Sequence, residues 1–410
     1  MERGTGGEVP VSNPLLIVGA SGRAAAASAI RAGFEPFVID LFADADTVRL
    51  CPTLKCDLEA YPHGFVELAK QAPPSPWMYA GGLENHPAVV AAISETRPLW
   101  GNGPEKLAEV RNPFRVRELF AAKAYSIPAL APATASPPAG RWLRKPYCGA
   151  GGGGIAWADE AQPPSDQHFF QEFIAGEPIS VLFVSEDRGL SKFRSVNRGW
   201  PHTIAVCAFR QLIGTSWLHA RPFQYAGNIG PFWFSHFGLP GAGAMGVGDL
   251  NDVRTRLCGV WGADFVVTAD KAWLVEINPR YPASAELPAH SRTDPFDWMK
   301  DCFTESDSLW KAKTWSEWPT VVGKAIYYAG APVTFPASGP WDESLRHCTD
   351  VWRMPEFADI PHPGSVIEPG QPVFTLFAAA ATEAECVNQL RARAAACDRL
   401  FGVPTPEGEP

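Results

Sequence analysis

The sequence predicts an α/β chain that opens on a parallel strand–helix–strand unit and becomes β-rich further on. Three observations carry this. The apolar run Leu15–Val18 leads through Gly19-Ala20-Ser21-Gly22-Arg23 into the small-residue stretch Ala24–Ala32 and then Phe37–Asp40, the pattern of a buried strand, a turn, a helix and a second strand. Beyond residue 141 the apolar period falls to two, as expected of strands. Of 410 residues, 40 are proline, against a usual ~5%. Because an interior proline breaks a helix, a helical bundle or coiled coil is excluded.

In order, Trp77–Tyr79 and the helix around 88–95 continue the first unit, which ends near Pro104. Residues 105–126 read as helix, with Leu107, Val110, Val116, Leu119 and Phe120 on one face. Residues 128–140 are a proline- and alanine-rich connector. Strands follow at 141–145, 154–158 and 169–184, the last read as strand, turn, strand. Further strands are expected at 192–196 and 203–212, a helix at 249–258 and a hairpin at 265–277. The final stretch is a small β module closed by a helix, with a capping box at Thr382 and Glu385 and a stop at Gly402. The domain boundaries expected are 1–104, 105–330 with a lid at about 141–172, and 331–410.

The net charge of −9 and the absence of a basic run speak against nucleic acid as a partner. No stretch reaches the ~18 apolar residues of a membrane span. Nine scattered cysteines without C-x-x-C read as reduced thiols of a cytoplasmic protein.

Two segments carry chemistry. In the first, Lys145-Pro146-Tyr147-Cys148 precedes Gly149-Ala150-Gly151-Gly152-Gly153-Gly154. Clustered glycines let backbone N–H groups approach an anion. A Walker loop places its lysine after the glycines; here it comes before, and Ile155–Trp157 reads as strand. The segment therefore predicts a flap between antiparallel strands, with Lys145 aimed at the same phosphate. A plain surface loop is the alternative. Cys148 reads as a small neutral residue.

The second is the hairpin Gly262–Arg280. With 269–271 as its loop, Thr268 faces Ala272 and Asp264 faces Glu276, and Asn278 and Arg280 share their parity. Opposed like charges destabilise a sheet. A hard cation between oxygen ligands removes the conflict, which points to Mg²⁺ at Asp264, Glu276 and Asn278. A solvated polar face is the alternative, and another loop length would break the pairing.

Together with Gln171-Glu172-Phe173-Ile174 between them, these segments resemble the ATP-grasp superfamily over roughly residues 14–330. The resemblance implies a Rossmann-like first domain, a small lid and a larger β-rich domain, with ATP between the last two. It further implies a carbon–nitrogen ligase of biosynthesis that activates a small-molecule carboxylate as an acyl phosphate, joins it to an amine, with an amino acid or small cofactor precursor expected, and releases ADP and phosphate; a homodimer is a further expectation. ATP and Mg²⁺, with Mn²⁺ as a substitute, are the implied cofactors. On this chain, Lys145 and the flap Gly149, Ala150, Gly151, Gly152, Gly153 and Gly154 would hold phosphates. Backbone at Glu172, Phe173 and Ile174 would read adenine, and Glu172 or Glu177 the ribose. Arg280 would act with Lys145 on the transferred phosphoryl group. The family's first lysine is missing, so Arg111 or Arg115 must substitute.

Substrate recognition is expected from Arg194, Asn197, Arg198, Arg210, Gln211, Tyr225, Asn228, Ser284 and Glu286. Residues 223–231 resemble amino-acid ligases of the tyramine–glutamate ligase kind. Residues 360–372 resemble the small module closing some carboxylases, but no lysine lies between Arg353 and Arg391 to carry biotin, so a structural cap is expected. The rivals are a carboxylase-like enzyme, a nicotinamide oxidoreductase built on Gly19-x-x-Gly22 and Asp40, and a non-catalytic nucleotide-binding protein.

Overall fold

A computed structural model describes residues 13–120, 126–159, 162–185, 203–232, 257–290, 294–303 and 320–406. The expected strand at 192–196 lies outside them, as does nearly all of the expected helix at 249–258.

Strands β1 (Pro14–Gly19), β2 (Glu35–Asp40), β3 (Thr53–Lys55) and β4 (Trp77–Tyr79) form a parallel sheet in the order β3-β2-β1-β4. Leu15, Leu16, Ile17 and Val18 are all fully buried, which explains their unbroken apolar run. The helix Arg23–Arg31 crosses from β1 to β2. Its small residues Ala25, Ala26 and Ala29 pack closely enough to merge with the core beneath the largest sheet.

The periodic stretch after Pro104 is two helices, Pro104–Val110 and Pro113–Phe120, not the single one expected. Pro113 has no N–H to continue a helix and suits a first turn. Asn112 Oδ1 accepts from Phe114 N at 3.0 Å. The break leaves Arg111 at the junction.

The segment expected as a lid, 141–172, supplies β6 (Trp142–Pro146), β7 (Ala156–Trp157) and β8 (His168–Glu172), which with β5 (Leu130–Pro132) form a sheet in the order β5-β8-β6-β7. The connector thus supplies a strand. The expected strand–turn–strand at 169–184 is not a hairpin. β8 stays in the lid, while β9 (Glu177–Ser185) enters a different sheet. Residues 173–176 pass between them, and a Cβ on Gly176 would lie 2.5 Å from the Val267 carbonyl oxygen.

That second sheet has eight strands: β9, β10 (Thr203–Ile213), β11 (Tyr225–Phe232), β12 (Gly259–Val267), β13 (Ala272–Asn278), β14 (Val321–Tyr328), β16 (Phe357–Ala358) and β18 (Pro372–Ala380). Their order is β13-β12-β9-β10-β11-β14-β18-β16. β15 (Val333–Thr334) and β17 (Val366–Ile367) form a separate ladder. The C-terminal stretch therefore both caps the molecule and completes the large sheet. Its helix Glu383–Phe401 starts at the capping box of Thr382 and Glu385 and ends at left-handed Gly402, φ 65°.

A buried charge cluster joins these parts. Arg23 donates Nη1 and Nη2 to Glu286 Oε1 and Oε2 at 2.6 and 3.0 Å and Nε to Asp359 Oδ1 at 2.8 Å. Lys324 Nζ reaches Glu286 Oε2 at 2.9 Å. Burial would raise the Glu286 carboxyl, but Arg23 and Lys324 outweigh it and hold it far below the usual range.

Candidate active site

A cleft lies between the lid and the large sheet, with an apolar and a polar chamber. Both are lined by Lys145, Gly149 to Gly152, Ile155, Val275 and Glu276. Apolar walls come from Val110, Val116, Ile127, Leu130, Phe169 and Leu274. The polar chamber adds Asp264, Asn278 and Arg280 from the hairpin, with Gln211, Tyr225, Asn228 and Ser284.

Asp264 does face Glu276, though by a different route from the one expected. The turn is a residue longer, because Val267 pairs with Ala272. A bulge that skips Val275 then restores the phase, so Phe265 faces Leu274 and Asp264 faces Glu276. Asp264 accepts from Gln211 Nε2 at 3.0 Å and Asn278 Nδ2 at 2.8 Å. Burial, then the charge of Glu276, pushes its carboxyl up to about 6. At Glu276 burial also acts upward, but Arg111, Lys145 and Arg280 prevail and hold the carboxyl below its usual value.

Two carboxylates and an amide on one wall are the oxygen donors a hard cation takes. Asp264 and Glu276 face each other across the ladder, a like-charge juxtaposition that a cation would relieve. The residues therefore fit Mg²⁺. Among the described residues no cluster of three His, Cys, Asp or Glu side chains could hold a metal, so the set depends on Asn278 or the ligand's own oxygens.

Lys145 is 8% exposed and donates to Gln171 Oε1 at 3.1 Å. Burial lowers its pKa. Arg111 enters the cleft, pairs with Glu276, and donates Nη2 to Asn85 Oδ1 at 3.0 Å and the Gly149 carbonyl at 3.1 Å. Arg115 instead pairs with Glu118 on the exposed surface. Of the two arginines, only Arg111 lines the cleft.

The flap is latched over the cleft. Asn85 Nδ2 donates to the Gly149 carbonyl at 3.0 Å, and Tyr225 N to the Gly151 carbonyl at 3.0 Å. Gly152 has φ 77°, and a Cβ there would lie 2.0 Å from the Phe223 carbonyl oxygen. Gly152→Ala should therefore displace the flap, weakening nucleotide binding about tenfold or more while global stability changes little. Nucleotide titration beside thermal denaturation checks this; unchanged affinity would contradict it.

The remaining candidates divide. Gly153 lines the apolar chamber; Gly154, φ 78°, packs against Pro146. Glu172, Phe173, Ile174 and Glu177 sit at the passage between sheets and are not among the residues lining either chamber. Phe173 packs on Trp157 and Arg141. Glu177 pairs with Arg210, which also pairs with Glu383 at 2.9 Å. Glu286 belongs to the buried charge cluster. Arg194, Asn197 and Arg198 lie outside the described residues. Sequence reasoning missed Glu84 and Asn85, which a loop of the first domain brings into the site. Glu84 accepts from Arg280 Nε at 3.0 Å.

The nicotinamide rival loses its ribose acid. Asp40 is 1% exposed and accepts from Gly22 N, Phe42 N and Ala43 N at 2.7, 2.7 and 2.9 Å. These bonds fix the turn itself.

A family model described as an ATP-grasp domain matches residues 111–284. Residues 111–284 thus form an ATP-grasp domain. Several solved structures share the fold of nearly the whole chain. L-amino acid ligase from Bacillus licheniformis is 12% identical, with a TM-score of 0.65 over 94% of this chain and 97% of that one. N5-carboxyaminoimidazole ribonucleotide synthetase from Thermus thermophilus is 12% identical, TM-score 0.61, over 96% and 100%. The biotin carboxylase domain of Hydrogenobacter thermophilus 2-oxoglutarate carboxylase is 11% identical, TM-score 0.64, over 92% and 88%. No curated protein matches the chain significantly. Among the described residues, no helix is long and apolar enough to cross a membrane.

Proposed function

We propose that the protein is an ATP- and Mg²⁺-dependent ligase that activates a small-molecule carboxylate as an acyl phosphate and joins it to an amine. The observation that carries this is one cleft lined by Lys145, the glycine flap and the Asp264–Glu276–Asn278 wall, with Arg280 at its polar end. Phosphoryl transfer asks little covalent chemistry of a protein; it asks for positioning and neutralised charge.

The base would enter the apolar chamber, and the phosphates would meet Lys145, Arg111 and the flap N–H groups. Mg²⁺, held by Asp264, Glu276 and Asn278, would neutralise phosphate charge. Arg280, steadied by Glu84, would face the transferred phosphoryl group. The carboxylate oxygen attacks the γ-phosphorus and ADP leaves. The amine then attacks the acyl carbon, the bond to phosphate breaks, and the amine's proton leaves with phosphate. ATP-grasp neighbours that are carboxylases share the fold, but nothing in this cleft favours that outcome.

Incubated with ATP, Mg²⁺ and pairs of amino acids and amines, the protein should release ADP and phosphate only with a matching pair. Lys145→Ala should lose that turnover and stay folded. Release of AMP and pyrophosphate would reject the acyl-phosphate route.

A further inference from the structure

The polar chamber contains three buried side chains with unspent hydrogen-bonding capacity. Glu84 is 2% exposed, Asn228 1% and Ser284 2%. Glu84 gives Oε1 to Arg280, and Asn228 Oδ1 accepts from the Tyr225 hydroxyl. Among the described residues, Glu84 Oε2, Asn228 Nδ2 and Ser284 Oγ have no hydrogen-bond partner. All three residues line the chamber beside Arg280. A buried polar atom left unpaired is costly, and three on the walls of one chamber point to a ligand that pairs them.

Their chemistry is complementary to two groups. An ionised carboxylate only accepts, so Glu84 Oε2 calls for a donor, ideally a cation. Asn228 Nδ2 only donates, as does the Arg280 guanidinium, and both call for an anion. We propose that the substrate activated here is an α-amino acid, with Glu84 holding its ammonium group and Arg280, Asn228 and Ser284 its carboxylate. The inference rests on the acyl-phosphate reading for which end of the substrate faces the nucleotide.

The arrangement has a chemical consequence. An ammonium kept charged by Glu84 has no lone pair and cannot attack an acyl phosphate. The amide therefore forms with the unprotonated amine of a second molecule, bound outside this subsite.

Calorimetric titration of the full chain, with and without Mg-ADP, tests this with the twenty L-amino acids and with the analogues that carry hydrogen in place of the amine. At least one amino acid should bind about tenfold or more tighter than its analogue. In Glu84→Gln, which keeps an oxygen for Arg280, that ratio should fall towards one with ADP affinity retained. Asn228→Asp should weaken amino acid and analogue alike and preserve the ratio. Equal binding of acid and analogue overturns the proposal, as does a ratio that survives in Glu84→Gln or an absence of amino-acid binding in both states. Absent ADP binding would count against the nucleotide reading, while the titrations without nucleotide still decide the amine subsite.

Discussion

Glu276→Gln should lose ligase turnover by ~10²–10³-fold, the scale of removing one group that stabilises developing charge. Its melting temperature should stay close to that of the parent. Glu276 keeps 36% of its side chain open to solvent, so an isosteric amide leaves no cavity. Arg111 would retain Asn85 Oδ1 and the Gly149 carbonyl. What disappears is one of two carboxylates facing each other across the β12–β13 ladder. Nucleotide binding should consequently lose its Mg²⁺ dependence. Asp264, freed of a like charge, should ionise more easily than its present value of about 6. Full activity in this variant would mean that the metal wall is misassigned.

The second large effect is on stability. Arg23→Met should cost about 3–5 kcal/mol, the scale of removing one partner from a buried ion pair. Arg23 is 6% exposed and faces Glu286, Asp359 and Asp46. Without it three carboxylates would share the charge of Lys324. Because Arg23 comes from the first domain, Glu286 and Lys324 from around the large sheet and Asp359 from the C-terminal stretch, the loss should loosen all three together. Chemical denaturation measures it; a change below ~1 kcal/mol would show the cluster to be neutral in the balance, as some buried ion networks are.

What could be read from the sequence was what is local. The flap and the Glu276–Arg280 run are contiguous, and their residue types bear directly on phosphate and metal. Alternation of two placed Asp264 and Glu276 on one face, although the turn was a residue longer and the Val275 bulge restored the register. Glu84 and Asn85 could not be read, because they reach the cleft through domain packing from nearly 200 residues before Arg280. Strand periodicity also says nothing about which sheet a strand joins. Hence Phe169–Glu172 and Glu177–Val184 looked like one hairpin, when they lie in the lid and the large sheet. The helix break at Arg111 was signalled by Asn112-Pro113, a boundary that the apolar period concealed.

The place of β18 in the large sheet has a bearing on the order of assembly. It pairs along the whole of β14, from Val321–Ala380 to Tyr328–Pro372, yet among the described residues none beyond Ser284 lines the cleft. Until residues 372–380 have been synthesised, β14 presents an open edge of the kind that recruits other chains. Its closure is a long-range contact, and such contacts form slowly. The cleft and the strand that seals its sheet are thus separated in time: the nascent chain carries every described lining residue before it carries the segment that protects the sheet from self-association.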